Sequence, residues 1–324
     1  MSLFSVVIPV FNKEAHAERC LKSVLGQTLQ DIEVIVVDDS SRDRSIDRMR
    51  RIADGRVKFF SRSEPGPGGY AARNYGISQS SSRWVAFLDA DDTWKPNHLA
   101  SMAELVGERP NDVGCIFTGY EMVEPQGFCL RSWFLEAGRV AGRRSSEEML
   151  EEWLLGGCPM WTGGVAIDRT LLQATGGFPA GRCRRGGDRD LWLRTICRTN
   201  CVYTGLATAV YHKDAENMLT RSESFSARLC LQDSIEAELT RAGPGRQALL
   251  KRIYNREVYK YAVSAWKARQ PISDNLVRGY FASMDPMRFA LMLAMRRVPM
   301  PLPASVRSWV RARRAQGRKE KRGY

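Results

Sequence analysis

Apolar residues in the first hundred positions come in short, nearly unbroken runs, separated by stretches in which they recur every three or four residues. The runs "FSVVIPV" (4–10), "IEVIVVD" (32–38), "RVKFF" (56–60) and "RWVAFLD" (83–89) predict β-strands. Their lack of polar alternation predicts a parallel sheet covered on both faces. Between the first two runs Ala17, Leu21, Val24 and Leu25 fall on one helical face, with Asn12 as the expected N-cap. Strand alternating with helix implies right-handed β-α-β crossovers and an α/β fold. A fifth run, "VGCIFTGY" (113–120), precedes shorter mixed segments. From about Ser222 the pattern is helical, most clearly over residues 246–268, and no internal repeat interrupts it.

This pattern divides the chain into an α/β domain over 1–215, a helical extension over 216–300 and a flexible basic tail over 301–324. Ligands of such sheets bind beyond the carboxyl ends of the strands. Those ends carry Pro9, Phe11 and Asn12, then Asp38 and Asp39, then Asp89, Asp91 and Asp92, so all are expected in one crevice.

Charge changes this picture in one place. The chain of 324 residues has a net charge of +13, which favours an anionic partner. From Asp285 onward eleven Lys or Arg face only Asp285 and Glu320, a balance of +9 that leaves +4 for the rest. An apolar helical run edged by arginines and followed by a polybasic segment suits an anionic membrane surface. Nucleic acid is not expected, because no binding motif or interleaved aromatic accompanies the charge. The eight cysteines contain no C-x-x-C pair, so reduced thiols and a cytosolic chain are expected. No signal peptide or spanning helix is expected either, which places the protein in the cytoplasm, peripheral on the inner face of the membrane.

The block "FLDADDTWKP" puts three carboxylates in four positions. Like charges this close repel, and a Mg²⁺ or Mn²⁺ ion would relieve them, since these ions take one or two carboxylates and complete their shells with water and phosphate. The alternative is an acidic turn in solvent. Asp39 can accept a hydrogen bond from a nucleoside, the alternative being a helix cap. "PGPGGYAARNYGI" offers a Gly-rich loop, a helix start and Arg73, all suited to phosphate.

Taken in order, "VVIPVFN", "VIVVDDSS", "AARNYGI", "FLDADDTWKP", "TGGF" and "GGDRDLWLR" resemble the catalytic domain of glycosyltransferase family 2 over roughly residues 3–211. The resemblance implies a GT-A-like fold, a Rossmann-like mixed sheet flanked by helices with a nucleotide-sugar half over 1–118 and an acceptor half over 119–215, and inverting transfer of a sugar from a nucleotide-diphosphate donor, foremost a UDP-sugar, to a hydroxyl of a glycan or lipid-linked acceptor. It implies Asp39 at the donor base, Asp89 near the donor ribose, Asp91 on the metal and Arg73 near the diphosphate, with Pro9, Phe11 and Asn12 lining the donor site. The family usually reads Glu-Asp-x-Asp-Leu where this chain has Gly187-Asp188-Arg189-Asp190-Leu191. Asp188 thus takes the position of the catalytic base, and the preceding Glu is missing. On residues alone, Asp188 could instead cap a helix starting near Arg189. His212, directly after Tyr211, is a candidate metal neighbour, while Trp161 and Asp190 are candidate acceptor contacts.

A dinucleotide-dependent dehydrogenase is excluded because the turn after the first strand, "PVFNKEA", holds no glycine. A nucleotidyltransferase would not account for "GGDRDLWLR". A catalytically silent nucleotide-sugar-binding scaffold stays open through the Gly187 departure.

Overall fold

A computed structural model describes residues 2–106, 112–127, 129–215 and 225–298. The elements in order are β1 (Phe4–Val10), α1 (Ala17–Leu25), β2 (Ile32–Asp38), α2 (Ser45–Ile52), β3 (Val57–Ser61), α3 (Tyr70–Gln79), β4 (Trp84–Phe87), β5 (Thr93–Trp94) and α4 (His98–Val106). There follow β6 (Val113–Val123), β7 (Cys129–Arg131), α5 (Trp133–Glu136), β8 (Gly142–Arg144), α6 (Ser146–Gly156), β9 (Val165–Asp168), α7 (Arg169–Thr175), α8 (Gly187–Ile196) and β10 (Asn200–His212). The last are α9 (Cys230–Leu239), α10 (Pro244–Lys267), α11 (Asp274–Val277) and α12 (Pro286–Arg297).

Among the described residues all ten strands share one mixed sheet in the order β3-β2-β1-β4-β9-β6-β10-β5, with β7 on β6 and β8 on β10. β1 pairs in parallel with both β2 and β4, in a register that sets Val10 beside Asp38 and Val7 beside Phe87. The antiparallel β9 lies between β4 and β6, and β10 runs parallel to β6. The carboxyl ends of β1, β2, β4 and β10 therefore share one edge.

The unbroken apolar runs are explained by burial on both faces. Val6, Ile8, Val34, Val36 and Ala86 pack with Leu21 and Val24 of α1 and Leu99 and Met102 of α4. On the other face Val7, Ile35 and Phe87 are buried, and α3 comes so close that a Cβ on Gly76 would overlap the Val7 side chain. Only glycine permits this approach.

Two expectations change. Asn12 is not an N-cap: α1 starts later, with His16 at the cap position, and Asn12 adopts a left-handed φ of 50°. Its Oδ1 instead accepts from the Arg42 N–H at 2.8 Å, tying the end of β1 to the loop after β2. The first compact unit spans Met1–Arg256 and includes α9, which packs on α8. Not all thiols are free, since Cys183 and Cys230 form a disulfide with Cα atoms 5.9 Å apart. Spacing in sequence could not show this, because 47 residues separate the pair and only the α8/α9 packing brings them together.

The second unit, Glu257–Tyr324, contains α11 and α12 among its described residues. Met292 of α12 is buried, and Tyr280 stacks on Phe289 at 5.5 Å. The tail over 301–324 lies outside the described residues.

Candidate active site

The edge formed by the carboxyl ends of the strands gathers most of the residues singled out in the sequence. After β2, Asp39 is almost fully buried; its carboxylate accepts from the Arg62 guanidinium and from the Gly66 N–H at 2.9 Å. Asp38 accepts from the Ser41 N–H at 2.9 Å, stabilising the turn rather than a helix. Phe11 stands exposed at the end of β1, and Pro9 faces the Gly-rich loop, where a Cβ on Gly69 would lie 3.8 Å from its own Cβ.

The three carboxylates after β4 each have a partner. Asp89 pairs with Arg73, whose other arm donates to the Gly68 carbonyl at 2.9 Å and whose guanidinium lies over the Phe178 ring at 5.3 Å. Asp91 Oδ2 is 2.7 Å from Lys13 Nζ. Asp92 is buried and accepts from the His212 N–H at 2.9 Å; burial, then the charges of Asp91 and Asp89, push its carboxyl well above the usual range. The expected electrostatic strain is thus met in part by the protein's own cations, Lys13 and Arg73.

Among the described residues no three His, Cys, Asp or Glu side chains form a ready-made metal cage. The donor set still fits Mg²⁺ or Mn²⁺, which characteristically take one or two carboxylates and leave the remaining positions to water and substrate phosphate. Asp91 and Asp89 are carboxylates of this kind in the segment after β4. His212 is brought to the same block, yet its Nε2 is engaged by Thr93 Oγ1 at 2.9 Å, so in this arrangement that nitrogen is not available to an ion. Burial and the Arg19 charge lower the imidazole pKa below its ordinary value.

Asp188 lies in the first turn of α8, whose N-cap is Gly186. It is therefore not the residue that caps the helix. The segment before it meets the Gly-rich loop: the Gly187 N–H donates to Tyr70 Oη at 2.9 Å, and a Cβ on Gly68 would come within 3.1 Å of the Arg184 carbonyl. Loop, Arg73 and Asp188 thus belong to one wall of the crevice.

The remaining two candidates separate. Trp161 is half-buried between Tyr120 and Tyr211, with ring centroids at 4.9 and 5.5 Å. Asp190 does not reach the crevice. It is fully buried: Oδ2 pairs with Arg194 one turn on in α8 at 2.7 Å, and Oδ1 accepts from Ser234 Oγ of α9 at 2.5 Å, so both its oxygens are taken up inside the fold. The α-helical period explains the difference, because residues two apart point to different sides.

Lys13, Arg62 and Tyr70 were not foreseen. The signal for Lys13 was a cation within reach of a strand end rich in facing acids; Arg62 and Tyr70 gave none, because their roles depend on which loops meet. A cavity of about 630 Å³ lies at the opposite ends of β6 and β10, but its guanidiniums are committed, Arg83 to Asp168 and Arg246 to Glu147.

A strand-edge crevice with an acidic block, a Gly-rich loop and a helix-borne carboxylate defines a GT-A-like domain. Residues 5–150 match the family model described as Glycosyl transferase family 2. The UDP-Glc:alpha-D-GlcNAc-diphosphoundecaprenol beta-1,3-glucosyltransferase of Escherichia coli is 28% identical over 171 residues, which are 53% of this chain and 62% of that protein. The Staphylococcus aureus TarS 1–349 structure in complex with UDP-GlcNAc superimposes with a TM-score of 0.69 at 16% identity, covering 91% of this chain and 88% of that one. A mannosyltransferase from Pyrobaculum calidifontis in complex with GDP-Man and Mn²⁺ gives a TM-score of 0.55 at 18% identity, with 95% and 82% covered. The chain spans from 18% to 62% of the length of the curated relatives it matches. Among the described residues no helix is long and apolar enough to cross a membrane.

Proposed function

We propose that the protein is an inverting, divalent-metal-dependent glycosyltransferase that moves a hexosyl or N-acetylhexosaminyl group from a nucleoside-diphosphate sugar, foremost a UDP-sugar, to a hydroxyl of a glycan or lipid-linked acceptor. The observation that carries this reading is the convergence of Asp39, the Arg73–Asp89 pair, the Lys13–Asp91 pair and Asp188 at one strand edge. Buried Asp39 offers a carboxylate to the nucleoside. Lys13 and Arg73 present positive charge where the diphosphate would lie. Asp188 takes the proton of the acceptor hydroxyl as its oxygen attacks the anomeric carbon from the side opposite the diphosphate. A divalent ion held by Asp91, with Asp89 beside it, would supply Lewis-acid stabilisation of the charge on the departing diphosphate.

The acceptor side is assigned to Trp161, whose ring is suited to stacking on a sugar. Lipid attachment is assigned to α12. On this helix Met287 and Leu291, one turn apart, form an exposed apolar stripe, with Arg288 and Arg297 at its margins. Eight further Lys or Arg follow within residues 299–324. An apolar stripe flanked by cations matches an anionic bilayer.

Nucleotide release from UDP-Glc, UDP-GlcNAc and GDP-Man, with Mn²⁺ or with EDTA, tests the reading. The expected result is metal-dependent turnover of one donor, lost in Asp91→Ala and reduced about 10²-fold or more in Asp188→Asn. Failure of every donor nucleotide to bind in the presence of Mn²⁺ would overturn it. Co-flotation with phosphatidylglycerol vesicles but not phosphatidylcholine vesicles, abolished by Leu291→Glu, is expected for α12.

A further inference from the structure

The missing Glu at position 187 has a structural counterpart. Gly187 is buried, and a Cβ there would lie 2.7 Å from Cζ and 2.8 Å from Cε2 of Tyr70, with Pro179 Cγ also at 2.8 Å. Gly68, at φ 73°, is constrained by the same ring, since its Cβ would fall 2.8 Å from Tyr70 Cε2. Two glycines, one from the Gly-rich loop and one from the start of α8, thus make room for one phenol. The ring is only 5% exposed and stacks on Phe178 at 6.0 Å with 9° between planes.

The hydroxyl has a defined task at that place. α8 begins without a side-chain cap, because its N-cap is Gly186, and the first N–H groups of a helix need an acceptor from outside. Tyr70 Oη provides one to Gly187 across 117 positions of sequence. Having accepted this bond, the phenol still carries its own proton to donate. Burial and then the charge of Asp188 push the Tyr70 phenol up to about 12, and Arg73 and Arg189 are the other charges it feels. It therefore stays protonated.

We infer that Tyr70 positions Asp188, its hydroxyl taking over from the absent Glu side chain by capping the amino end of α8 and offering a hydrogen-bond donor on the base's side. The inference rests on Asp188 being the base. It also joins the two halves of the reaction, because Tyr70 directly follows the Gly-rich loop on the donor side while it holds the helix that carries the base.

The test compares wild type, Tyr70→Phe, Asp188→Asn, Gly187→Glu and the double variant Tyr70→Ala/Gly187→Glu, using whichever of UDP-Glc, UDP-GlcNAc and GDP-Man is turned over with Mn²⁺. Tyr70→Phe keeps the ring, so its melting temperature and donor KM should stay near wild type. Its kcat should fall roughly 10- to 100-fold, the scale of a slightly displaced catalytic group. Gly187→Glu alone should be impaired by the clash, and removing the ring in the double variant should restore activity above either Gly187→Glu or Tyr70→Phe. Unchanged kcat in Tyr70→Phe, with Asp188→Asn inactive, would overturn the role of Tyr70 alone. Full activity in Asp188→Asn would instead overturn the assignment of the base, and the inference with it.

Discussion

Lys13 Nζ lies 2.7 Å from Asp91 Oδ2, so the carboxylate assigned to the metal is already paired with a cation of the protein. An incoming divalent ion must compete with that ammonium, or the ammonium must turn to the donor diphosphate as the ion arrives. Lys13→Met should therefore bind Mn²⁺ about 3- to 10-fold more tightly in the absence of donor, matching a partly exposed pair of about 1 kcal/mol. Electron paramagnetic resonance titration measures this directly, and equal affinities in the two proteins would show that the pair does not gate the site.

Asp190 was expected at the acceptor and is found in the core. Asp190→Ala leaves Arg194 buried without its partner and should cost about 3–5 kcal/mol of stability. Chemical denaturation would read the loss. An acceptor role would instead predict a stable protein with raised acceptor KM.

The Cys183–Cys230 bridge should contribute about 2–4 kcal/mol, mainly by restricting the unfolded chain. A thiol reductant should lower the melting temperature of the wild type and leave that of Cys183→Ser/Cys230→Ser unchanged. Equal sensitivity of both proteins would mean that reduction acts elsewhere.

Stability should decline on acidification in two windows. Burial holds the His98 imidazole at about 3 against an ordinary 6.5, so below 6.5 the unfolded chain takes up a proton that the folded one refuses. Burial alone would raise Glu33, but hydrogen bonds from Ser5, Lys58 and Ser81 outweigh it and hold the carboxyl at about 2 against 4.5. Its stabilisation is complete above 4.5 and is lost as pH falls towards 2. His98→Phe should flatten the first decline in melting temperature and Glu33→Gln the second; a variant that keeps its decline would refute the corresponding assignment.

The sheet was legible because its signal is local. Unbroken runs such as "IEVIVVD" mark strands covered on both faces, and the rule that ligands sit at their carboxyl ends then brought Asp39, Asp89 and Asp91 to one crevice. What the sequence hid depends on contacts between distant segments. Asn12 has the chemistry of a cap, but its side chain was claimed by Arg42 thirty residues away. Asp190 shares the motif of Asp188 and differs from it only in facing Ser234, 44 residues on. Tyr70 carried no mark at all until Gly187 was found against its ring.

The match to the family ends at residue 150, ahead of the helix that bears Asp188, and that helix is fastened to α9 by the Asp190–Ser234 hydrogen bond and the Cys183–Cys230 bridge. For anyone exchanging parts between relatives, the natural seam is therefore not the end of the shared motifs. A graft that imports the donor half alone would separate Tyr70 from its glycine, and one cut at 215 would strand Asp190 and Cys183. The inheritable block extends through α9, and chimaeras joined beyond it should fold where shorter ones do not.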